Sequence, residues 1–459
     1  MFSNFCNLPI FLAAQAQANL GVAAKPAVID STSSHSYAQL LLDSYAVESE
    51  IIQHITSPGN NVALLIPNSY LYVISTLGIW LSGSAVVPLS LMHVKSELGY
   101  FLSDSDCKAV LSTNEHLELL TTVCNEFDLS VKIILVDTIP LYLVPPSDIP
   151  SHNIDINSNA LVVYTSGTTG KPKGVVSSHI NVNAQLTSLR TAWEINENDR
   201  LLHVLPLHHT HTLINKLMSF LFCLFCKNKK ALLLKKFESY SESELEASKV
   251  FKKWEQLTTQ VMVERYGMSE IGMALSNSGT DKSQRFPGHV GTPLPNVSVR
   301  LVNEAGVDVT NDPNLSGEVQ IKGDTVFKRF KTGDVGNCNS DGVFKLLGRN
   351  STDIIKSGGY KLSSIELEQH ILECELVREI SVVAIPDEIL EFVPGAAVVF
   401  KKQDQENSDD SKEMIDQLRK WCLKEMSQYK VPRFFVVVDE LPVNLMRKVD
   451  KKKVLALFK

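Results

Sequence analysis

Between residues 61 and 136, short apolar runs at 61–66, 85–89, 108–112 and 131–136 alternate with longer amphipathic stretches such as 70–81. Strand-helix-strand alternation of this kind predicts a largely parallel sheet with helices on its faces, an α/β architecture. The apolar stretch 73–87 is broken by Gly78, Gly83 and Ser84 and is short for a bilayer, so it reads as a buried helix followed by a strand. Prolines 145, 146 and 150 mark a loop before the next apolar run, Ala160-Leu161-Val162-Val163-Tyr164. A chain of 459 residues, 44% hydrophobic, can bury a large core and divides into two or more domains.

That apolar run opens into Thr165-Ser166-Gly167-Thr168-Thr169-Gly170-Lys171-Pro172-Lys173-Gly174, followed by Val175-Val176. Glycines let backbone amides approach an anion, the hydroxyls donate hydrogen bonds, and Lys171 and Lys173 bring positive charge. This is the chemistry of a polyphosphate cradle. It is not a Walker loop, which needs Ser or Thr directly after its Gly-Lys, where this chain has Pro172. Val175-Val176 predicts a second strand, so the loop joins strand to strand rather than strand to helix.

A net charge of −7 argues against general nucleic-acid binding, so any basic nucleotide site must be local. The eight cysteines are scattered; Cys223 and Cys226 share a two-residue spacing but no second ligand pair follows, which predicts free thiols. Residues 1–21 contain no Arg or Lys, so they offer no support for a secretory signal or transit peptide.

The loop at 164–174 resembles the phosphate-binding signature of the adenylate-forming superfamily, which includes acyl-CoA synthetases, and the resemblance continues along most of the chain. It implies that Thr165, Ser166, Gly167, Thr168, Thr169, Gly170, Lys171 and Lys173 bind the phosphates of ATP. Arg265-Tyr266-Gly267-Met268-Ser269-Glu270 is similar to the adenine and magnesium motif. There Tyr266 and Gly267 border the adenine, Ser269 meets phosphate or acyl oxygen, and Glu270 with Thr168 holds Mg²⁺. In Lys331-Thr332-Gly333-Asp334 and Gly348-Arg349, the resemblance gives Asp334 to the ribose diol and Arg349 to ribose or phosphate; taken alone, Thr-Gly-Asp is a common turn. Ser351 falls at the family's hinge, and Gly358-Gly359-Tyr360 at the loop beside the CoA pantetheine tunnel. Residues 442–448 resemble the segment carrying the catalytic lysine, here Lys448, preceded by Arg447 where the family has Gly. The run Lys451-Lys452-Lys453 reads as a solvated face. Among His208, His209 and His211, His209 is the candidate for the acyl and thiol tunnel.

The fold implied is a large N-terminal domain of parallel-rich sheets with flanking helices, 1–348, and a small α+β C-terminal lid domain, 349–459. The implied reaction joins a small carboxylic acid to CoA through an acyl-adenylate, with ATP and Mg²⁺, and the motif details are similar to malonyl-CoA synthetases. Malonate is the expected acid, with Arg285 a candidate partner for its second carboxylate; methylmalonate or a fatty acid are alternatives. The same resemblance favours mitochondria, with the cytoplasm as the alternative. Near 236–252 a family block of strands and helices is missing, and 326–331 is shortened. A catalytically inactive remnant is therefore a rival reading.

Overall fold

The computed structural model describes residues 5–19, 26–30, 33–141, 151–165, 172–196, 199–221, 263–326, 330–358, 360–401, 410–443 and 449–458. The expected parallel sheet is present. Its six strands run in the order Lys132–Leu135, Cys107–Ser112, Asn61–Leu65, Ala85–Pro88, Asn159–Thr165 and Lys173–Ser178. All neighbours are parallel except the last two, which form an antiparallel pair across the phosphate-type loop.

Alternation along the strands decides which helices cover which face. Val62 and Leu64 pack in one core with the helices Pro9–Ala18, Tyr37–Ile52 and Tyr70–Leu81, whereas Ala63 and Leu65 pack in another with Lys95–Asp104 and Leu117–Glu126. The helix at 70–81 coincides with the sequence expectation, and the stretch 73–87 is a buried helix and strand as read. Trp80, fully buried, donates its indole N–H to the Ala160 carbonyl at 2.8 Å, tying this helix to the strand that enters the loop.

Beyond the sheet the chain turns antiparallel. Arg265–Met268, Gly272–Ser276 and Thr292–Pro293 make a three-stranded sheet, and Val297–Val302, Gly317–Gly323, Phe330–Cys338 and Phe344–Arg349 a four-stranded one. The C-terminal part is α+β: Tyr360–Ser363, Ile354–Ser357, Glu391–Phe400 and Val377–Asp387 in order, with Phe434–Val437 added parallel to Glu391–Phe400. The helices Ser364–Ile371 and Asp410–Glu425 accompany it. Leu367, Ile371, Leu418 and Cys422 close its core against Val382 and Val398.

One local reading is corrected. Lys451 is not on a solvated face: its side chain is turned inward onto Asp353 and Glu368, while Lys452 and Lys453 are exposed. Cys6, Cys107, Cys338, Cys374 and Cys422 are buried free thiols, as expected; Cys223 and Cys226 lie outside the described residues. So does the 236–252 stretch. Among the described residues no helix is long and apolar enough to cross a membrane.

Candidate active site

The two strands flanking the phosphate-type loop pair Thr165 with Lys173 and Tyr164 with Gly174. Their ends are fastened to the helix Lys95–Asp104. Tyr164 donates to Asp104 Oδ2 at 2.7 Å, and Tyr100 donates to the Pro172 carbonyl at 2.9 Å. The Phe101 ring lies 4.5 Å from that of Tyr164. Ser166, Gly167, Thr168, Thr169, Gly170 and Lys171 lie outside the described residues. The helix that follows, His179–Ala192, is capped by Ser178, whose hydroxyl accepts from the Asn181 N–H while Asn181 Oδ1 accepts from the Ser178 N–H at 3.1 Å.

The residues expected around adenine and ribose meet. Tyr266, on an edge of the three-stranded sheet, is buried and donates its hydroxyl to Asp334 Oδ2 at 2.5 Å. Asp334 stands opposite Arg349 in the neighbouring sheet, with Arg349 Nε 3.3 Å from its Oδ1. A bulge in the strand before Asp334 is shaped by Gly333 at φ +75°, and the Asp334 N–H donates to Thr332 Oγ1. Burial raises the Asp334 carboxyl above its usual range, opposed by the Tyr266 hydrogen bond and the Arg349 charge. A carboxylate in this setting has its remaining acceptor capacity available for a diol.

Ser269 and Glu270 occupy the turn between Arg265–Met268 and Gly272–Ser276. Ser269 and Gly272 line a shallow cleft together with Asn181, Gln185 and Thr210 and the apolar Leu161, Val182 and Ile214. Gln185, which the motif reading missed, clamps this hairpin: its Oε1 accepts from the Met273 N–H at 2.7 Å and its Nε2 donates to the Met273 carbonyl at 3.4 Å. A trace of it is legible as the polar pair Asn181 and Gln185, one turn apart on a helix face otherwise carrying Val182, Leu186 and Leu189. Glu270 is half-buried, and no described group hydrogen-bonds its carboxylate. Among the described residues no three His, Cys, Asp or Glu side chains are placed to hold a metal ion by themselves. A hard cation here would need phosphate oxygens beside Glu270.

The histidine stretch leads into an unusual π-helix, His211–Met218. The rings of His208 and His209 lie 4.1 Å apart, with His93 6.2 Å from His208. Burial, then the neighbouring His209 and His93, push His208 down to about 3, so it is neutral at physiological pH. The His211 ring meets Arg265 of the adenine motif, with Nε2 2.6 Å from Arg265 Nη2. Because a guanidinium only donates, Nε2 accepts and the His211 proton sits on Nδ1. The Asn215 amide 3.3 Å from Nδ1 must then present its oxygen to that N–H.

Other expected residues are dispersed. Ser351 is exposed in the turn after Phe344–Arg349. Gly358 adopts φ +55° in a tight hairpin, where its N–H donates to Leu390 O, and Tyr360 stacks on Tyr429 at 4.5 Å. Arg285 spends its Nε on the Ser278 carbonyl (2.8 Å) and its Nη2 on that of Gly279 (2.6 Å). Gly359 and Lys448 lie outside the described residues.

The family described as AMP-binding enzyme matches residues 14–239 and 243–330, and the AMP-binding enzyme C-terminal domain matches 366–447. A mitochondrial malonate-CoA ligase ACSF3 of Xenopus laevis is 31% identical, covering 95% of this chain and 90% of the relative; the malonate-CoA ligase of Arabidopsis thaliana is 31% identical over 86% and 77%. The first alignment runs 529 positions against a chain of 459, so the relative carries residues with no counterpart here. Among solved structures, ATP-bound MatB from Rhodopseudomonas palustris superposes with a TM-score of 0.77 at 23% identity, covering 97% of this chain and 99% of that one. The o-succinylbenzoate CoA synthetase of Bacillus subtilis, holding its acyl-adenylate intermediate, gives 0.76 at 22% identity, covering 96% and 97%.

Proposed function

The chain belongs to the family of AMP-binding enzymes, as an AMP-forming acid-CoA ligase, and from that premise we propose that it makes malonyl-CoA from malonate, ATP and CoA. The observation that carries the reading is the meeting of Tyr266, Asp334 and Arg349, three residues distant in sequence, beside the hairpin that bears Ser269 and Glu270. That arrangement suits a nucleotide: Tyr266 and Gly267 toward the base, Asp334 toward the ribose, and Arg349 toward ribose or phosphate.

In the first step a carboxylate oxygen of the acid attacks the α-phosphorus, and the bond to pyrophosphate breaks. Lys448 is the cation that offsets the developing charge. In the second step the CoA thiolate attacks the acyl carbon and AMP leaves. Thr165 to Lys173 hold the phosphates, Glu270 with Thr168 would hold Mg²⁺, and Gly358 to Tyr360 border the thiol's path. We place the division between the two units at 348/349, with Ser351 as hinge. A cation bound to ATP supplies charge neutralisation at the phosphates; Glu270, with no described partner for its carboxylate, fits that duty.

Malonate is favoured because relatives bearing that activity in their names align over most of the chain. The naming of vertebrate relatives as mitochondrial supports that compartment. The test is pyrophosphate release by the purified chain with MgATP, CoA and a panel of malonate, methylmalonate and octanoate, beside Lys448→Ala. Malonate-dependent release lost in the variant supports the reading. Equal turnover of malonate and octanoate would remove malonate as the substrate.

A second reading, an inactive remnant, is favoured by the interruption of the family match at 240–242 and by the length of the alignment. A cooperative melt raised by MgATP argues against it.

A further inference from the structure

Lys451 opens the helix Lys451–Ala456, yet its side chain is only 20% exposed. Its ammonium meets Asp353 Oδ1 at 2.7 Å, Ser364 Oγ at 2.6 Å and Glu368 Oε1 at 3.3 Å. Two carboxylates and one ammonium are costly to desolvate, and an apolar residue would fill the space at less expense, so such a cluster is better understood as fixing a geometry than as adding stability.

What it joins is specific. Asp353 Oδ2 accepts from the Arg349 N–H at 2.9 Å, and the Asp353 N–H donates to the Arg349 carbonyl at 2.8 Å, so this carboxylate is rigid with respect to Arg349 and, through it, to Asp334. On the lysine side, Val443 and Val449 form an antiparallel bridge and the Asp450 N–H donates to the Pro442 carbonyl at 2.8 Å. The Asp450 carboxylate then caps the helix by accepting from the N–H groups of Lys452 and Lys453. Val443 and Val449, which flank residues 444–448 in the sequence, are thereby held side by side, and Lys451 anchors the base of that pair.

We propose that Lys451 is a positioning residue for adenylate formation: held by Asp353, Ser364 and Glu368, it fixes the base of the segment bearing Lys448 relative to Arg349 and Asp334. The inference rests on the assignment of Lys448 above. A merely structural role would weaken every step alike; a positioning role acts on the step that needs Lys448.

The experiment compares the full chain with K448A, K451M, K451R and the double variant K448A/K451M. It measures malonate-dependent ATP-pyrophosphate exchange, thioester formation from supplied malonyl-adenylate and CoA, melting temperature, and deuterium uptake across 441–450. K451M should lower the kcat of exchange about a hundredfold with KM for ATP changed by less than about threefold. Thioester formation should stay within about threefold, K451R should recover most of the exchange, and the double variant should be no slower than K448A, because Lys451 acts only through Lys448. Equal losses in both steps, or losses that multiply in the double variant, overturn the proposal. If the unaltered chain shows no exchange, the functional reading fails and deuterium uptake decides the structural claim. Faster uptake across 441–450 in K451M and not K451R, at similar melting temperatures, upholds the anchor, and unchanged uptake in both overturns it.

Discussion

The Tyr266 hydroxyl donates to the Asp334 carboxylate across a sequence separation of 68 residues, joining the edge of one antiparallel sheet to the interior of another. Neither residue depends on the other for its local structure. Their meeting makes a hydrogen-bonding acceptor whose orientation is set before any nucleotide arrives, with Arg349 completing the charge on its other oxygen.

Tyr266→Phe keeps the ring and removes one hydrogen bond. It should cost about 1 kcal/mol of stability and raise the KM for ATP by about tenfold, because Asp334 loses the group that orients it. Asp334→Asn removes charge as well and should lower kcat/KM for ATP by about a hundredfold or more. Pyrophosphate release at varied ATP, with denaturant melts of both variants, measures the difference; equal effects of the two would show that orientation alone matters.

Trp80→Phe should cost about 1–2 kcal/mol through the Ala160 carbonyl it leaves buried, and Trp80→Ala about 3–5 kcal/mol through the cavity. Ala160 opens the apolar part of the strand entering the phosphate-type loop, so the Ala variant should also weaken ATP binding where the Phe variant does not. Chemical denaturation with ATP titration separates the two.

The parallel sheet was legible because its strands are short continuous apolar runs separated by longer segments such as the buried helix at 70–81, each read without knowing the partner. Motif residues were legible one at a time. Their mutual contacts were not, since the Tyr266 and Asp334 bond depends on how two sheets are stacked. Lys451 shows the limit clearly: three successive lysines average to a solvated face, but the first residue of a helix can turn back onto a neighbouring element, and only tertiary packing decides it. In the same way the contact of His211 with Arg265 depends on tertiary packing, which a histidine-rich stretch does not announce.

Glu368 gives a pH signature. Burial, with the Asp353 charge in the same direction and opposed by Lys451 and the Val382 N–H, raises its carboxyl from 4.5 to about 7. The folded chain therefore holds that proton more tightly than the unfolded chain. Its contribution favours folding fully below about 4.5 and is lost as pH rises toward about 7, in the opposite sense to an ordinary ion-paired carboxylate. Glu368→Gln cannot titrate. The stability difference between the variant and the unaltered chain should change across pH 4.5 to 7, in the variant's favour as pH rises, and be flat above pH 8. Denaturant melts of the pair at half-unit intervals read it directly, and a difference independent of pH would refute the assignment.

Two glycines test the hairpin beside the cleft. Gly272 and Gly288 both have positive φ, +66° and +75°, so alanine at either is strained by roughly 1–2 kcal/mol. At Gly288 an added Cβ meets open space, and strain is the whole effect. At Gly272 it would lie 1.9 Å from Gln185 Oε1, the atom that accepts from the Met273 N–H. The amide must retreat and leave that buried N–H unpaired, adding about 1–3 kcal/mol. Gly272→Ala should therefore be the more destabilising by that margin and should also raise the KM for the acid, since Gln185 and Ser269 line the same cleft. Gln185→Ala removes the clash along with the clamp, so the double variant Gln185→Ala, Gly272→Ala should be less destabilised than the sum of the two single changes. Additive losses would mean that Gln185 is not what Gly272 makes room for.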